Sequence, residues 1–227
     1  MKVLVIGAHG QIGRLLVAKL QVSQHEVTAG LRSTSQIEDY QEQGYQTALV
    51  DVEKDITHLQ AAMKDQQAVV FAVGSGGKTG ADKTMMVDLD GAVKAMEAAK
   101  KADIERFIII SAIGAQNRSL WSYQQRELST GNYYYAAKYY ADEWLLHSGL
   151  AYTIIRPAAL TNATPTGKVV LGPQLDLTVD NKVRTITRSD VAQTVVECLN
   201  QPRTINQAFD ISNGDILIAQ ALAKLSS

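Results

Sequence analysis

Short, β-rich apolar runs alternate along this chain with stretches whose apolar residues return every three or four positions. Lys2–Gly7 reads as a first strand, and Gln11–Leu20 as an amphipathic helix with Ile12, Leu15, Leu16 and Leu20 on one face. Glu26–Leu31, Thr47–Val50, Ala68–Val73, Arg106–Ser111 and Ala151–Ile155 are further strand candidates. Helical spacing is expected over Thr57–Lys64, over a long Lys83–Lys101, and from about Tyr133 to His147, where Ser148-Gly149 supplies a stop. The runs VVFAV and FIIIS are apolar throughout and do not alternate, as in strands covered on both faces. Strands alternating with helices predict an α/β fold built on a parallel sheet.

After Arg156-Pro157 the pattern shortens to strand-like pieces at Lys168–Leu171, Asp176–Val179 and Val183–Ile186, a helix from about Ser189 to Asn200, a strand near Phe209–Ile211 and a last helical stretch. No repeat or low-complexity linker interrupts the chain, so residues 1–227 are expected as one domain, with about 157–227 forming a small lobe on the sheet. At 46% hydrophobic content the chain can close one sizeable core. Its formal charge of -1 offers no positive field to gather nucleic acid or an anionic membrane. Cys198, the single cysteine, excludes an intrachain disulfide and has the spacing of an inert thiol on a buried helix face. Neither a signal peptide nor a membrane span is legible, and a cytoplasmic protein is expected. No metal site is expected.

The stretch VIGAHGQIG carries the first chemistry. Gly7 closes the first strand and Gly13 lies in the first turn of the next helix, so the loop between them aims backbone N–H groups at the helix amino terminus, where an anion is favoured. Side chains at these positions would block a pyrophosphate or hold the helix off the strand. The spacing is GxxGxxG, and with a buried strand before it and an amphipathic helix after it, it predicts dinucleotide binding. The cradle comprises Gly7, His9, Gly10, Gln11, Ile12 and Gly13, with His9 read as a turn residue and not a catalyst. At the end of the second strand, where an acid would accept from the ribose hydroxyl of NAD, the chain reads AGLRSTS. Arg32 can instead pair with a 2′-phosphate, so NADP is expected to bind more tightly than NAD.

Together with FAVGSGG, FIIISAIGA, YYYAAKYYADEWLLHSGLAYTIIRPAAL and RSDVAQTVVECL, this loop resembles the atypical short-chain dehydrogenase/reductases, in particular the small NAD(P)H-binding group similar to NmrA-like proteins and biliverdin reductase B. The resemblance implies a Rossmann-like doubly wound sheet with a small C-terminal substrate lobe. It also implies that Asp51 and Val52 lie by the adenine, that Gly74 and Ser75 line the cofactor, and that Pro157 approaches the nicotinamide. Each of these follows a proposed parallel strand, where ligands of open α/β sheets bind. Read from the residues alone, Asp51 is equally suited to capping a turn.

Tyr134 and Lys138, four apart on a helix, share a face, and an ammonium beside a phenol favours its ionised form. In short-chain dehydrogenases with this YxxxK spacing the tyrosine protonates a carbonyl oxygen as hydride arrives, the lysine also holds the nicotinamide ribose, and a serine after the fifth strand steadies the same oxygen. Ser111 matches that serine. Ser111 and Tyr134 lie 23 residues apart, farther than the ordinary pattern, and Gln116–Asn132 between them reads as a substrate lid. The leading expectation is an NADP(H)-dependent oxidoreductase reducing a small carbonyl, quinone or conjugated substrate. A non-catalytic NADP(H) sensor is the alternative. A nucleotide-sugar epimerase ranks last, because only about 70 residues follow Arg156. Gly91, inside a helix, points to close packing on the sheet or on a second subunit, Asp88 and Asp90 to solvent or the cofactor edge, and a homodimer is left open.

Overall fold

The computed structural model describes residues 1–76, 79–121 and 132–225. Strands β1 (Lys2–Ile6), β2 (Glu26–Leu31), β3 (Gln46–Leu49), β4 (Ala68–Phe71), β5 (Arg106–Ile110) and β6 (Tyr152–Pro157) are followed by β7 (Ala159–Thr161), β8 (Lys168–Gly172), β9 (Thr178–Val179), β10 (Lys182–Val183), β11 (Thr185–Thr187), β12 (Gln207–Asn213) and β13 (Ile216–Leu217). Nine of them form one sheet in the order β13-β8-β12-β6-β5-β4-β1-β2-β3. β1 to β6 and β12 run parallel, while β8 pairs antiparallel with β12 and β13 antiparallel with β8. The pairs β7–β11 and β9–β10 stand outside this sheet.

The two-residue period of each strand divides the core between the two faces. Val3 and Val5 point to one face, where α1 (Gln11–Gln21) and α8 (Arg188–Asn200) pack through Leu16, Val17, Leu20, Val191 and Val195. Leu4 and Ile6 point to the other, with Phe71, Phe107 and Ile109, and meet α3 (Ile56–Ala62), α5 (Gly91–Lys101) and α7 (Asn132–Leu146). The remaining helices are α2 (Thr34–Glu42), α4 (Ala81–Lys83), α6 (Arg118–Trp121) and α9 (Ile218–Leu222), and α4 leads into a π-wound segment, Thr84–Asp90. From β1 the chain builds outward through β2 and β3 on one side and β4, β5 and β6 on the other. This reversal falls between β1 and β4, and sheets of this kind bind ligands at the carboxyl ends of the strands at such a point.

Two expectations change, and one helix had not been read. The helix read over Lys83–Lys101 is α-wound only from Gly91 onward, because Thr84–Asp90 takes the wider π form that turns Thr84 and Asp88 into the interior. The mostly polar α2 gave little periodic signal; Ser33 starts it, its side chain accepting from the Gln36 amide. The stretch after Pro157, read as a lobe on the sheet, also supplies β8, β12 and β13 to the sheet itself. Cys198 is buried in α8, as its spacing suggested.

Candidate active site

The first turn of α1 has no side-chain cap, so its leading amides are left for another partner. Gly7 has φ +88°, and a Cβ there would come 2.9 Å from the Ala72 carbonyl oxygen. A Cβ at Gly13 would run into the Gly7 carbonyl oxygen and lie 2.9 Å from Ala8 Cα. The glycines therefore let β1, α1 and the end of β4 close on one another, with Gly10 exposed as the N-cap residue and Gln11 exposed beside it. Ile12 packs partly on the core. These features fit a dinucleotide whose pyrophosphate rests on the α1 amides.

His9 and Arg32 are exposed at the rim of this loop. Arg14, which the sequence reading passed over, donates from Nε to the His9 carbonyl at 2.9 Å and from its terminal nitrogen to His9 Nε2. Partial burial, then Arg14 and Arg32, lowers the His9 pKa, so three basic groups gather here with Arg32 making no hydrogen bond or ion pair through its side chain among the described residues. After β3, the Asp51 carboxylate accepts from the Glu53 amide at 3.0 Å, the turn-capping geometry. Val52 is buried, and a Cβ at Gly91 would meet its Cγ2 at 2.9 Å, which explains that glycine by packing within the chain. Gly74 is exposed after β4, and Pro157 ends β6 with its carbonyl accepting from the Ile113 amide at 3.0 Å.

The catalytic candidates come together. Lys138 Nζ lies 5.8 Å from the centre of the Tyr134 ring on α7, and Tyr134 packs with Ala112 and Ala115, which follow Ser111 off the end of β5. Ser111 is buried, with its hydroxyl beside the Asp142 carboxyl. Two carboxylates flank the lysine: Asp142, which the sequence reading did not place, and Asp88, which is buried and so does not face solvent. Asp88, from the π-wound segment, brings Oδ1 to 3.0 Å from Lys138 Nζ as a buried ion pair, and accepts from the Ser75 amide through Oδ2 at 2.9 Å. Asp142, one turn beyond Lys138, accepts from Arg156 Nε at 2.8 Å through Oδ2. Burial opposes the Lys138 charge, but Asp88 foremost, with Tyr134 and Asp142, together outweigh it and hold the ammonium above the ordinary lysine range. Burial raises Asp142 more than the Arg156 guanidinium and the nearby Ser111 hydroxyl lower it. The YxxxKxxxD spacing could have flagged Asp142, and Asp88 carried no signal beyond its place in an apolar helix. Of the expected lid, residues 122–131 lie outside the described residues; before them, Gln116 donates to both oxygens of buried Asp210 at 3.0 Å, and the Trp121 indole donates to the Ala115 carbonyl.

A Rossmann-type sheet with an open glycine cradle at its switch point is the architecture of nicotinamide-nucleotide proteins. The NAD(P)H-binding family profile matches residues 7–202, and the chain belongs to that family. It is 44% identical over 226 residues to YhfK of Bacillus subtilis strain 168, described as an uncharacterized sugar epimerase, covering 99% of this chain and 100% of that one. A Bacillus halodurans structure described as a candidate NAD-dependent epimerase/dehydratase superposes with TM-score 0.88 at 38% identity, covering 99% and 100% of the two chains. The oxidoreductase ylbE of Lactococcus lactis superposes with TM-score 0.84 at 31% identity, covering 99% of this chain and 96% of that one. No helix among the described residues is long and apolar enough to cross a membrane.

Proposed function

We propose that this chain is an NADP(H)-dependent reductase of a small carbonyl, quinone or conjugated substrate. The observation that carries the reading is the gathering of Tyr134, Lys138 and the buried Ser111 hydroxyl beside the carboxyl ends of the parallel strands. The loop from Gly7 to Gly13 would hold the pyrophosphate, Arg32 with Arg14 the 2′-phosphate, and Gly74, Ser75 and Pro157 the nicotinamide half, with Asp51 and Val52 toward the adenine. When bound, the reduced cofactor supplies the hydride. The Tyr134 phenol gives its proton to the substrate oxygen, the Ser111 hydroxyl donates a hydrogen bond to the same oxygen, and Lys138 orients the ribose. Residues 158–166, at the start of the C-terminal stretch, would close the substrate side.

Two other readings have an observation each. A lysine already paired with Asp88 has less charge to lend the phenol, which favours an NADP(H)-sensing protein that binds without turnover. The epimerase descriptions attached to two relatives favour hydride transfer out to a sugar and back, with no net consumption of cofactor. Mixing the protein with NADPH and a panel of quinones and aldehydes separates the reductase from the other two. Reductase chemistry predicts net loss of reduced-cofactor absorbance, falling about 10²–10⁴-fold in Tyr134→Phe. No net loss across the panel, or equal rates in the two proteins, would contradict the proposed role of the phenol.

The occupant proposed for the outer face of α7 is a second copy of this chain. There Tyr140 and Trp144, about half exposed, join Met85 and Met86 along a groove of about 960 Å³. Glu143 and Asp90 line the same groove as Lys100 and His147, so a two-fold axis can set unlike charges opposite each other.

A further inference from the structure

The ion pair between Asp88 and Lys138 is unusual for what each end also touches. The Asp88 side chain is fully buried and that of Lys138 only 4% exposed, so neither charge has water to fall back on. Its Oδ2 accepts from the Ser75 amide at 2.9 Å, in the turn that follows β4. A Cβ built on Gly74, the preceding residue, would lie 3.4 Å from Asp88 Oδ1. Thr84, one turn earlier in the same π-wound segment, brings its hydroxyl to 3.3 Å from the Ser75 hydroxyl. Single π turns within helices concentrate at functional sites, and this one turns Thr84 and Asp88 together onto the Ser75 turn.

We propose that Asp88 is the positioning residue of this site: one carboxylate ties the Gly74–Ser75 turn to the Lys138 ammonium, so that loop and lysine move as a unit and Lys138 stays charged without help from a nucleotide. The proposal rests on the functional reading only for its consequence in catalysis. Three ionisable groups face Lys138: Asp88 from the π-wound segment, and Tyr134 and Asp142 from its own helix. Arg156 from β6 and Ser111 from β5 address Asp142 instead, and Arg156 already claims one Asp142 oxygen. Asp142 therefore has little charge to spare, and without Asp88 the burial that opposes the ammonium would prevail.

Replacing Asp88 by Asn removes the charge and keeps an acceptor for the Ser75 amide, so a purely structural role of Asp88 would survive the change. The ionisation of Lys138 is read directly by ¹³Cε NMR of lysine-labelled protein, its resonance assigned by its absence in Lys138→Met. In the unaltered protein the resonance should hold its ammonium position to about pH 10; in Asp88→Asn its transition should fall by about one pH unit or more, and Asp88→Glu should restore it. Alongside, calorimetric affinity for NADPH should be flat from about pH 7 to 9 in the unaltered protein and decline across that range in Asp88→Asn, with a raised KM and a smaller change in kcat. An Asp88→Asn resonance that titrates with the unaltered one overturns the proposal. Should Asp88→Asn fail to fold, deprotonation of Lys138 below about pH 9 in the unaltered protein overturns it equally. The NMR result stands whether or not NADPH binds, so a protein that ignores NADPH but shows the predicted lysine shift refutes the reductase reading and leaves the role of Asp88 intact.

Discussion

Lys138 concentrates the argument at the scale of single residues. Its folded value is raised above that of an ordinary lysine, so its charge contributes stability that is complete below about pH 10.4 and is lost as pH climbs through the folded value. Removing one partner of a buried pair costs about 3–5 kcal/mol, and Lys138→Met should be destabilised by that order at neutral pH. Urea unfolding from pH 8 to 11 checks both statements: the gap between the two proteins should be constant at first and narrow only at the alkaline end, and a gap that does not narrow would contradict the assignment. Lys138 and Tyr134 were legible from their spacing, since four residues on a helix must share a face. Asp88 was not, because its partner is 50 positions away in the chain and only the finished packing brings them together. Cys198 was legible for the opposite reason: its neighbours along one helix face already enclose it, and burial pushes its thiol up to about 12.

Among the elements, α7 presents two different faces. Tyr134, Lys138 and Asp142 recur at four-residue intervals along its inner side, while Tyr140 and Trp144 stand on the other about half exposed. If a second copy covers that outer face, Trp144→Glu puts a charge into the contact and should convert dimer to monomer in light scattering, with the melting temperature of each protomer little changed. A chain that is monomeric before the substitution at concentrations of tens of micromolar would contradict the docking proposal. The strands β1, β2, β4, β5 and β6 were readable nearly to the residue, because unbroken apolar runs bounded by turn residues leave few alternatives. The π turn was not readable: Lys83–Lys101 keeps a helical spacing of apolar residues, and the extra residue in the turn is decided by how Asp88 and Thr84 meet the Ser75 loop. Nor were the short strands β7 and β13, whose two or three residues carry no period, whereas β9 and β11 fall on the strand-like pieces expected at Asp176–Val179 and Val183–Ile186.

For the molecule as a whole, function follows from where the sheet reverses direction. Seven parallel strands aim their carboxyl ends at one edge, and the cradle at Gly7–Gly13, the turn after β4, Ser111 and Pro157 all fall on that edge. The alternation of strands and helices was enough to place them there, since right-handed crossovers leave one arrangement for such a sheet. How the stretch after Pro157 attaches was beyond the sequence, because the antiparallel pairing of β8 with β12 depends on contacts about 40 residues apart in the chain and not on local pattern. The central claim, that the chain holds NADP(H) on the amino end of α1 with Arg32 reading the 2′-phosphate, is tested most directly by calorimetric titration of NADPH and NADH into the protein and into Arg32→Ala. NADPH should bind about tenfold more tightly than NADH, and the substitution should cut most of that preference while sparing NADH. Heat from neither nucleotide, or an undiminished preference in Arg32→Ala, would contradict the account.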